Sequence, residues 1–381
     1  MVKTKLLMLT AVAGMGMLAA CSADETVEDN PGLEISFAPS INKVTRAADV
    51  TSANLPSYGF NVTAMKQVAG GSETTYFSGV DYIWNSTANV YGSVDKYYWP
   101  ATDKLNFYAY AMATDAASQV TKIDYKSFTV TPSTDWNKQV DLVFASTKDK
   151  VKADGENGVV LNFRHTGAKI KVKVKNTSKT LKFDVTGWKV GFLSPTATFT
   201  FDGTATDDHT SATGTPHTLS MASWSNHAGR SLGTEYVSEF TQLQIPAATT
   251  TDNHEQDLAG EMILLPQETP ALTAYANATV GADVTNPYIA LKMVIRNNDT
   301  DGTVVASAGG DTPVWATWPL PTTQWEPGKV YTYFVDLSGG GYYPKNQDSD
   351  TDLDPLLTEV KFVSVQVDDW TDGGTHNVAN N

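Results

Sequence analysis

The sequence predicts an all-β protein built from sandwich-type domains, and three observations lead to that prediction. Apolar and polar residues alternate with a period of two in many short runs, most clearly in Lys169–Lys175. Clusters of Gly, Asn, Asp and Ser separate these runs, as in Asn297–Gly302. No long stretch shows the spacing of an amphipathic helix. Many short strands joined by turns are typical of β-sandwiches.

The run Lys169–Lys175 shows how the strands are predicted. A helix would scatter its lysines around the axis, whereas a strand places all of them on one face, which we expect to be wet. The same alternation predicts further strands over Leu33–Ile41, Tyr58–Ala64, Leu105–Tyr110, Phe128–Val130, Val140–Phe144, Leu181–Val190, Phe199–Phe201, Glu261–Leu265, Tyr288–Ile295, Val304–Ala306, Val330–Leu337 and Val360–Val367.

The best predicted domain boundary is the segment Lys148–Gly158, which is charged, contains glycine and has few apolar residues. A length of 381 residues favours two domains. We therefore predict a first β-sandwich domain over 47–150 and a second over 151–381. Gly339–Gly341 is predicted to open a loop that reaches Leu353.

Composition excludes several classes of function. The formal net charge is −15, which argues against a nucleic-acid partner because phosphate binding needs a basic surface. A single cysteine excludes an internal disulfide and a multi-cysteine metal site. The six histidines are scattered, and no catalytic motif is present. The sequence therefore predicts neither an enzyme nor a cofactor.

The N-terminal residues predict secretion. Lys3 and Lys5 precede the apolar run Leu6–Ala20, which has the pattern of a signal peptide over 1–20 and is too short to span a membrane. The run ends in Leu-Ala-Ala before Cys21, which resembles the bacterial lipobox. We expect Cys21 to carry the lipid of an outer-membrane lipoprotein at the cell surface. An ordinary signal peptide beside an unmodified cysteine is the alternative.

One acidic cluster has part of the spacing of a calcium loop. Asp348, Asp350 and Asp352 alternate, and Glu359 lies at the position of the closing bidentate ligand. Leu353 stands where such a loop needs glycine, so a solvated acidic loop is favoured over a metal site.

Aromatic residues offer a second possible type of site. Trp315, Trp318 and the segment Tyr97–Pro100 could stack on sugar rings, although large aromatics more often fill sandwich cores. The core interpretation is favoured.

The chain resembles the fimbrillin family of Bacteroidetes, the Mfa-like pilin subunits. The segments that carry the resemblance keep the family's order and are Tyr97–Pro100, Leu105–Ala111, Asp141–Ala145, Val160–His165, Ala168–Val172, Leu264–Gln267, Trp325–Tyr333 and Val365–Trp370. Each segment is weak alone, but together with the lipobox they are fairly specific.

The resemblance implies two transthyretin-like (Greek-key) β-sandwich domains in tandem and a subunit of a surface pilus. It implies cleavage by an arginine-specific protease between Arg46 and Ala47. The cut would release residues 21–46, which comprise an acidic tether and the removable first strand. The strand that then leaves would carry Leu33, Ile35 and Phe37 on one face.

The resemblance also implies that a strand of another pilin subunit fills the groove. The candidate donor strand is 360–367, in which Val363, Val365 and Val367 alternate. Such assembly would support adhesion or biofilm formation. The alternative function is that of a surface glycan-binding lipoprotein of a carbohydrate-uptake system, which would share the signal, the lipid and the sandwich architecture.

Overall fold

The structure is a computed structural model that describes residues 32–41, 49–51, 53–68, 72–113, 118–201, 219–270, 287–339, 341–346, 349–355 and 364–370. For residues 232–233, 342–346 and 349–355 it describes the backbone path only.

Strands dominate the described residues, because alternating apolar residues cover a core with one strand face while polar residues occupy the other. In chain order the elements are β1 (Phe37–Ile41), α1 (Leu55–Tyr58), β2 (Phe60–Gln67), β3 (Glu73–Asn85), β4 (Val90–Gly92), β5 (Leu105–Ala111), β6 (Val120–Lys122), β7 (Ser127–Val130), β8 (Val143–Lys150), β9 (Val159–His165), β10 (Ala168–Lys175), β11 (Leu181–Leu193), β12 (Ala197–Thr200), β13 (Trp224–Ser225), β14 (Ser231–Ile245), β15 (Gln256–Asp257), β16 (Met262–Leu264), β17 (Glu268–Thr269), β18 (Tyr288–Asn297), β19 (Val304–Ala306), β20 (Val314–Pro319), β21 (Thr323–Gln324), β22 (Lys329–Asp336), β23 (Tyr342–Asn346), β24 (Ser349–Pro355) and β25 (Ser364–Asp369). Short 3₁₀ turns lie at Trp136–Lys138, Lys152–Gly155, Met221–Ser223 and Leu337–Gly339.

The first half of the fold is built on sheet A, in the order β1-β9-β8-β5-β2-β3-β4. Strand β5 shows that both faces of this sheet are covered. Leu105 and Phe107 belong to the core that contains β1, whereas Tyr108 packs in a separate core with Phe128 of β7. Sheet B, in the order β13-β12-β7-β6, covers that second face.

The second half is a sandwich of two further sheets. Sheet C has the order β15-β10-β22-β25, with β16 also paired to β10, and sheet D has the order β14-β11-β18-β20-β23-β24. Their shared core contains Trp188, Trp318 and Trp325, all fully buried. The predicted all-β sandwich fold class is confirmed.

Most predicted strands are present with shifted ends. Residues 105–110, 169–175 and 304–306 lie within β5, β10 and β19, as expected. The long strands β3 and β14 were not predicted, because their exposed faces blur the apolar alternation. The loop predicted from Gly339 to Leu353 is wrong, because most of that stretch forms the antiparallel pair β23 and β24.

The prediction that the alternating lysines of β10 all face solvent is wrong for Lys169. Lys169 is buried, whereas Lys171 and Lys173 are about one-third exposed and pair with Glu261 and Glu255. The period of a strand assigns a side chain to a face, but it does not reveal what later packs on that face.

The segment Lys148–Gly158 comprises the end of β8 and the connection to β9, and these two strands are neighbours in sheet A. Sheet A therefore extends to His165. The division of the chain into domains at residue 150 stays a prediction.

Candidate functional site

Strand β1 lies at the edge of sheet A. It pairs in parallel with β9, in a register that runs from Phe37 opposite Val159 to Ile41 opposite Phe163. Pro39 sits in the middle of the strand, which is compatible with an edge because proline cannot donate to a second neighbour. Strand β1 is thus held by hydrogen bonds to one neighbouring strand.

The residues just before β1 pair with a different part of the chain. The Ile35 amide donates to the Tyr97 carbonyl at 2.8 Å, and the Trp99 amide donates to the Leu33 carbonyl at 2.9 Å. The Val159 amide then donates to the Ser36 carbonyl at 2.8 Å. The segment 33–41 therefore spans from residues 97–99 to β9, and we call it the N-terminal segment.

One face of the N-terminal segment completes a core. Ile35, Phe37 and Ile41 are buried, Leu33 is partly buried against the same cluster, and Ala38 is exposed. Burial of a large apolar side chain is worth about 1.5–3 kcal/mol. The three buried side chains thus add a packing contribution to the hydrogen bonds that hold the segment.

Phe37 lies among three aromatic rings of sheet A. Its ring centroid is 4.7 Å from that of Tyr82, 5.3 Å from that of Phe107 and 6.1 Å from that of Phe60, each in an edge-to-face arrangement. This geometry is the favoured one for aromatic pairs. Burial raises the pKa of Tyr82 to about 12, which reflects how well water is excluded here.

Gly158 provides the close approach that the N-terminal segment needs. Its φ of +82° is strained for other residues, and a Cβ there would lie 3.3 Å from the carbonyl carbon of Phe37. The turn before β9 therefore passes against the backbone of β1.

The candidate donor strand has a local partner. Strand β25 pairs antiparallel with β22 at the edge of sheet C, from Ser364 opposite Phe334 to Asp369 opposite Lys329. Val365 and Val367 are partly buried against the core between sheets C and D. Val363 lies outside the described residues.

Several predicted site residues lie outside the described residues: Cys21, Arg46, Ala47, Asp348 and Glu359. Asp350 and Asp352 lie within β24, in an extended strand rather than in a loop. Among the described residues, no group of three or more His, Cys, Asp or Glu side chains is arranged to hold a metal ion.

The aromatic residues considered for sugar binding occupy different environments. Trp318 and Trp99 are buried in cores, so neither presents a face to a ligand. Trp315 is half-buried, with the Nζ atoms of Lys189 and Lys292 at 4.7 and 5.7 Å from its ring centroid. The core interpretation therefore holds for Trp318 and Trp99.

A buried polar cluster was missed in the sequence. Lys169 contacts Asp49 through its Nζ atom and lies 3.2 Å from Glu261 Oε2. Beside it, His165 Nδ1 is 2.7 Å from Asp141 Oδ2. These residues come from distant parts of the chain, and their only sequence signal is a set of charges within apolar runs.

Among the described residues, no helix is long and apolar enough to cross a membrane. No curated protein matches the chain. A family model described as fimbrillin-like matches residues 45–370.

Several solved structures are similar to the chain at low identity. A candidate cell adhesion protein from Bacteroides ovatus is 15% identical, with a TM-score of 0.43 and coverage of 90% of this chain and 99% of that chain. The tip fimbrial protein Mfa3 from Porphyromonas gingivalis, with C-terminal truncation, is 12% identical, with a TM-score of 0.31 and coverage of 82% and 94%. The fimbrial anchor protein Mfa2 from the same organism is 8% identical, with a TM-score of 0.26 and coverage of 89% and 98%. Since the family model spans most of the chain, this protein belongs to the fimbrillin-like family.

Proposed function

We propose that this protein is a structural subunit of a cell-surface fimbria, exported as a lipoprotein and assembled by exchange of the N-terminal segment for a strand of another subunit. The observation that carries the proposal is the position of β1, an edge strand whose Phe37 and Ile41 are buried in the core. Membership of the fimbrillin-like family supports it.

Loss of the N-terminal segment would leave a site suited to another strand. Strand β9 would lose its partner on one side while it stays paired with β8, and the rings of Phe60, Tyr82 and Phe107 would lose their contact with Phe37. An unpaired edge beside an apolar trough recruits an extended segment by β-augmentation. The incoming strand needs apolar residues at alternate positions, as in the segment it replaces.

The sequence around Arg46 fits a cut that separates the N-terminal segment from the rest. Arg46 follows Ile41 by five residues, and the chain has four arginines in all. On the other side of the cut, Asp49 and Val50 are buried. Cleavage between Arg46 and Ala47 would therefore free the segment while the remaining chain keeps its anchor in the fold. Before the cut, lipid on Cys21 would hold the precursor at the outer membrane.

Strand β25 is the candidate donor. It is six residues long and lies at a sheet edge, where β22 is its neighbour. Its removal breaks one ladder and uncovers the part of the core between sheets C and D that Val365 and Val367 cover. Release is easier for an edge strand than for a central one, because only one ladder must open.

The experiment combines proteolysis with assembly. The purified precursor is treated with an arginine-specific protease, and the product is examined by N-terminal sequencing, size-exclusion chromatography and electron microscopy. We expect a chain that begins at Ala47 and polymers that appear only after cleavage. Arg46→Ala blocks both, whereas the control Arg230→Lys, at an exposed position, blocks neither. Cleaved protein that stays monomeric at high concentration would contradict assembly by strand exchange.

A further inference from the structure

The polar cluster beside Trp370 contains a lysine in an unusual position. Lys169 is 2% exposed and its Asp49 partner is 0% exposed, although the two residues lie 120 positions apart in the chain. The Nζ atom contacts Asp49 Oδ2 and lies 3.2 Å from Glu261 Oε2. The amino group of Lys169, the carboxyl group of Asp49 and the carboxylate of Glu261 thus lie together at one site.

Aromatic rings close this place from solvent. The Nζ atom of Lys169 lies 4.6 Å from the ring centroid of Trp370, the residue that follows β25. The Trp370 ring stacks flat on His165, with centroids 4.0 Å apart and planes at 4°. Trp370 itself is fixed by donation of its amide to the Gly328 carbonyl at 2.8 Å. The Lys169 and Asp49 side chains therefore lie beside an indole in a site that is almost closed to solvent.

The Asp49 carboxyl group is buried at a cost that its contacts offset only in part. Burial raises the pKa of Asp49, the Lys169 ammonium opposes that rise, and the nearby Asp141 adds to it. Oδ1 of Asp49 has no hydrogen-bond partner among the described residues. A buried ion pair whose carboxylate is not fully hydrogen-bonded is costly, and conversion to a neutral amide removes that cost.

Glu261 is placed to act as a base. Burial by itself raises its pKa, but the ammonium groups of Lys169 and Lys171 hold that pKa below its usual value. Glu261 is therefore a carboxylate, and one of its oxygens faces Nζ of Lys169.

We propose that Lys169 and Asp49 condense to an intramolecular isopeptide bond in this protein, with Glu261 as the proton carrier. Glu261 takes a proton from the ammonium of Lys169, and the free amine attacks Cγ of Asp49. The Nζ–Cγ bond forms and the bond from Cγ to one carboxyl oxygen breaks. Glu261 returns its proton to that oxygen. The oxygen also takes the second proton that the nitrogen loses, and it leaves as water. No oxidant, metal or activated co-substrate is needed.

The bond would join two parts of the fold that meet at this cluster. Val50, the neighbour of Asp49, belongs to the core that holds the N-terminal segment, whereas Lys169 is part of β10 in sheet C. Asp49 lies three residues after Arg46 in the sequence. The cross-link would hold the start of the processed chain whether or not the N-terminal segment is released, so it does not depend on the proposed assembly.

Intact-mass measurement of the purified full-length chain tests the bond directly. We expect a mass below the sequence-derived value by one water, about 18 Da, and a branched peptide that joins Asp49 to Lys169 after digestion. Lys169→Arg restores the full mass. The control Lys171→Arg, on the same strand and with its lysine 2.8 Å from Glu261, keeps the deficit.

Two results would overturn the proposal. One is a wild-type chain with its full sequence-derived mass, which would leave Lys169 and Asp49 as an ion pair. The other is a deficit that persists in Lys169→Arg, which would place the lost water elsewhere. The wild-type mass is informative even if a variant fails to fold.

Discussion

Phe37 lies edge-on against Tyr82, with ring centroids 4.7 Å apart and planes at 87°. The first residue belongs to an edge strand and the second to the long strand β3. A core residue on an edge strand is stabilised by burial, yet the strand can separate from the sheet when one ladder opens. Its side chain is held by burial, while its backbone is held by a single ladder.

The contribution of Phe37 can be measured by truncation. Phe37→Ala in the uncleaved precursor should lower the free energy of unfolding by about 3–5 kcal/mol, because it leaves a cavity among Tyr82, Phe107 and Phe60. Denaturant unfolding measures this change. Ala38→Ser, at an exposed position of the same strand, should be within about 0.5 kcal/mol of wild type. Equal stability of the two variants would show that the segment does not support the core.

The close approach at Gly158 gives a second test. Gly158→Ala should destabilise the precursor by about 1–2 kcal/mol, because φ is +82° and the new Cβ meets the Phe37 backbone. Gly92→Ala is the control, since a Cβ at Gly92 has no neighbour within 4 Å. Thermal unfolding of both variants provides the comparison, and an unchanged Tm for Gly158→Ala would contradict the described turn.

Alkaline pH should unfold the protein through its buried tyrosines. Burial raises the pKa of Tyr82, Tyr91 and Tyr331 to about 12, above the value near 10 of an unfolded chain. A raised folded-state pKa contributes stability that is complete below pH about 10 and is lost as the pH rises through about 12.

Ultraviolet titration of tyrosinate, followed together with circular dichroism, measures this effect. We expect the buried phenols to ionise together with loss of structure. Tyr82→Phe removes one ionisable group and should move the alkaline transition to higher pH. Ionisation of all tyrosines near pH 10 with the fold intact would show that these side chains are accessible to water.

The donor role of β25 predicts a separation between processing and assembly. Val367→Asp should leave cleavage at Arg46 intact but prevent polymer formation, because a charge cannot enter an apolar groove without a large cost. Gln366→Ser, on the opposite face of the strand, should assemble normally. Gel filtration of the cleaved variants distinguishes the two. Normal polymers of Val367→Asp would exclude β25 as the donor.

The sequence predicted the parity of the N-terminal segment because a strand has an exact side-chain period. Ile35 and Phe37 were expected on one face, and both are buried.

Long-range packing could not be predicted in this way. Lys169 belongs to a run of alternating lysines, and only the arrival of Asp49 and Trp370 buries it. The partner strand of β1 is about 120 residues away in sequence, so the register of β1 against β9 has no local signal. Strand pairing and burial of this kind depend on contacts between residues far apart in sequence, which the local alternation of apolar residues does not indicate.

The most direct test of strand exchange is the N-terminus of the subunit within fimbriae isolated from cells. Strand exchange predicts that assembled chains begin at Ala47, so that the N-terminal segment with Ile35 and Phe37 is absent from the polymer, while unassembled precursor begins at Cys21. Assembled chains that begin at Cys21 and retain residues 33–41 would contradict it.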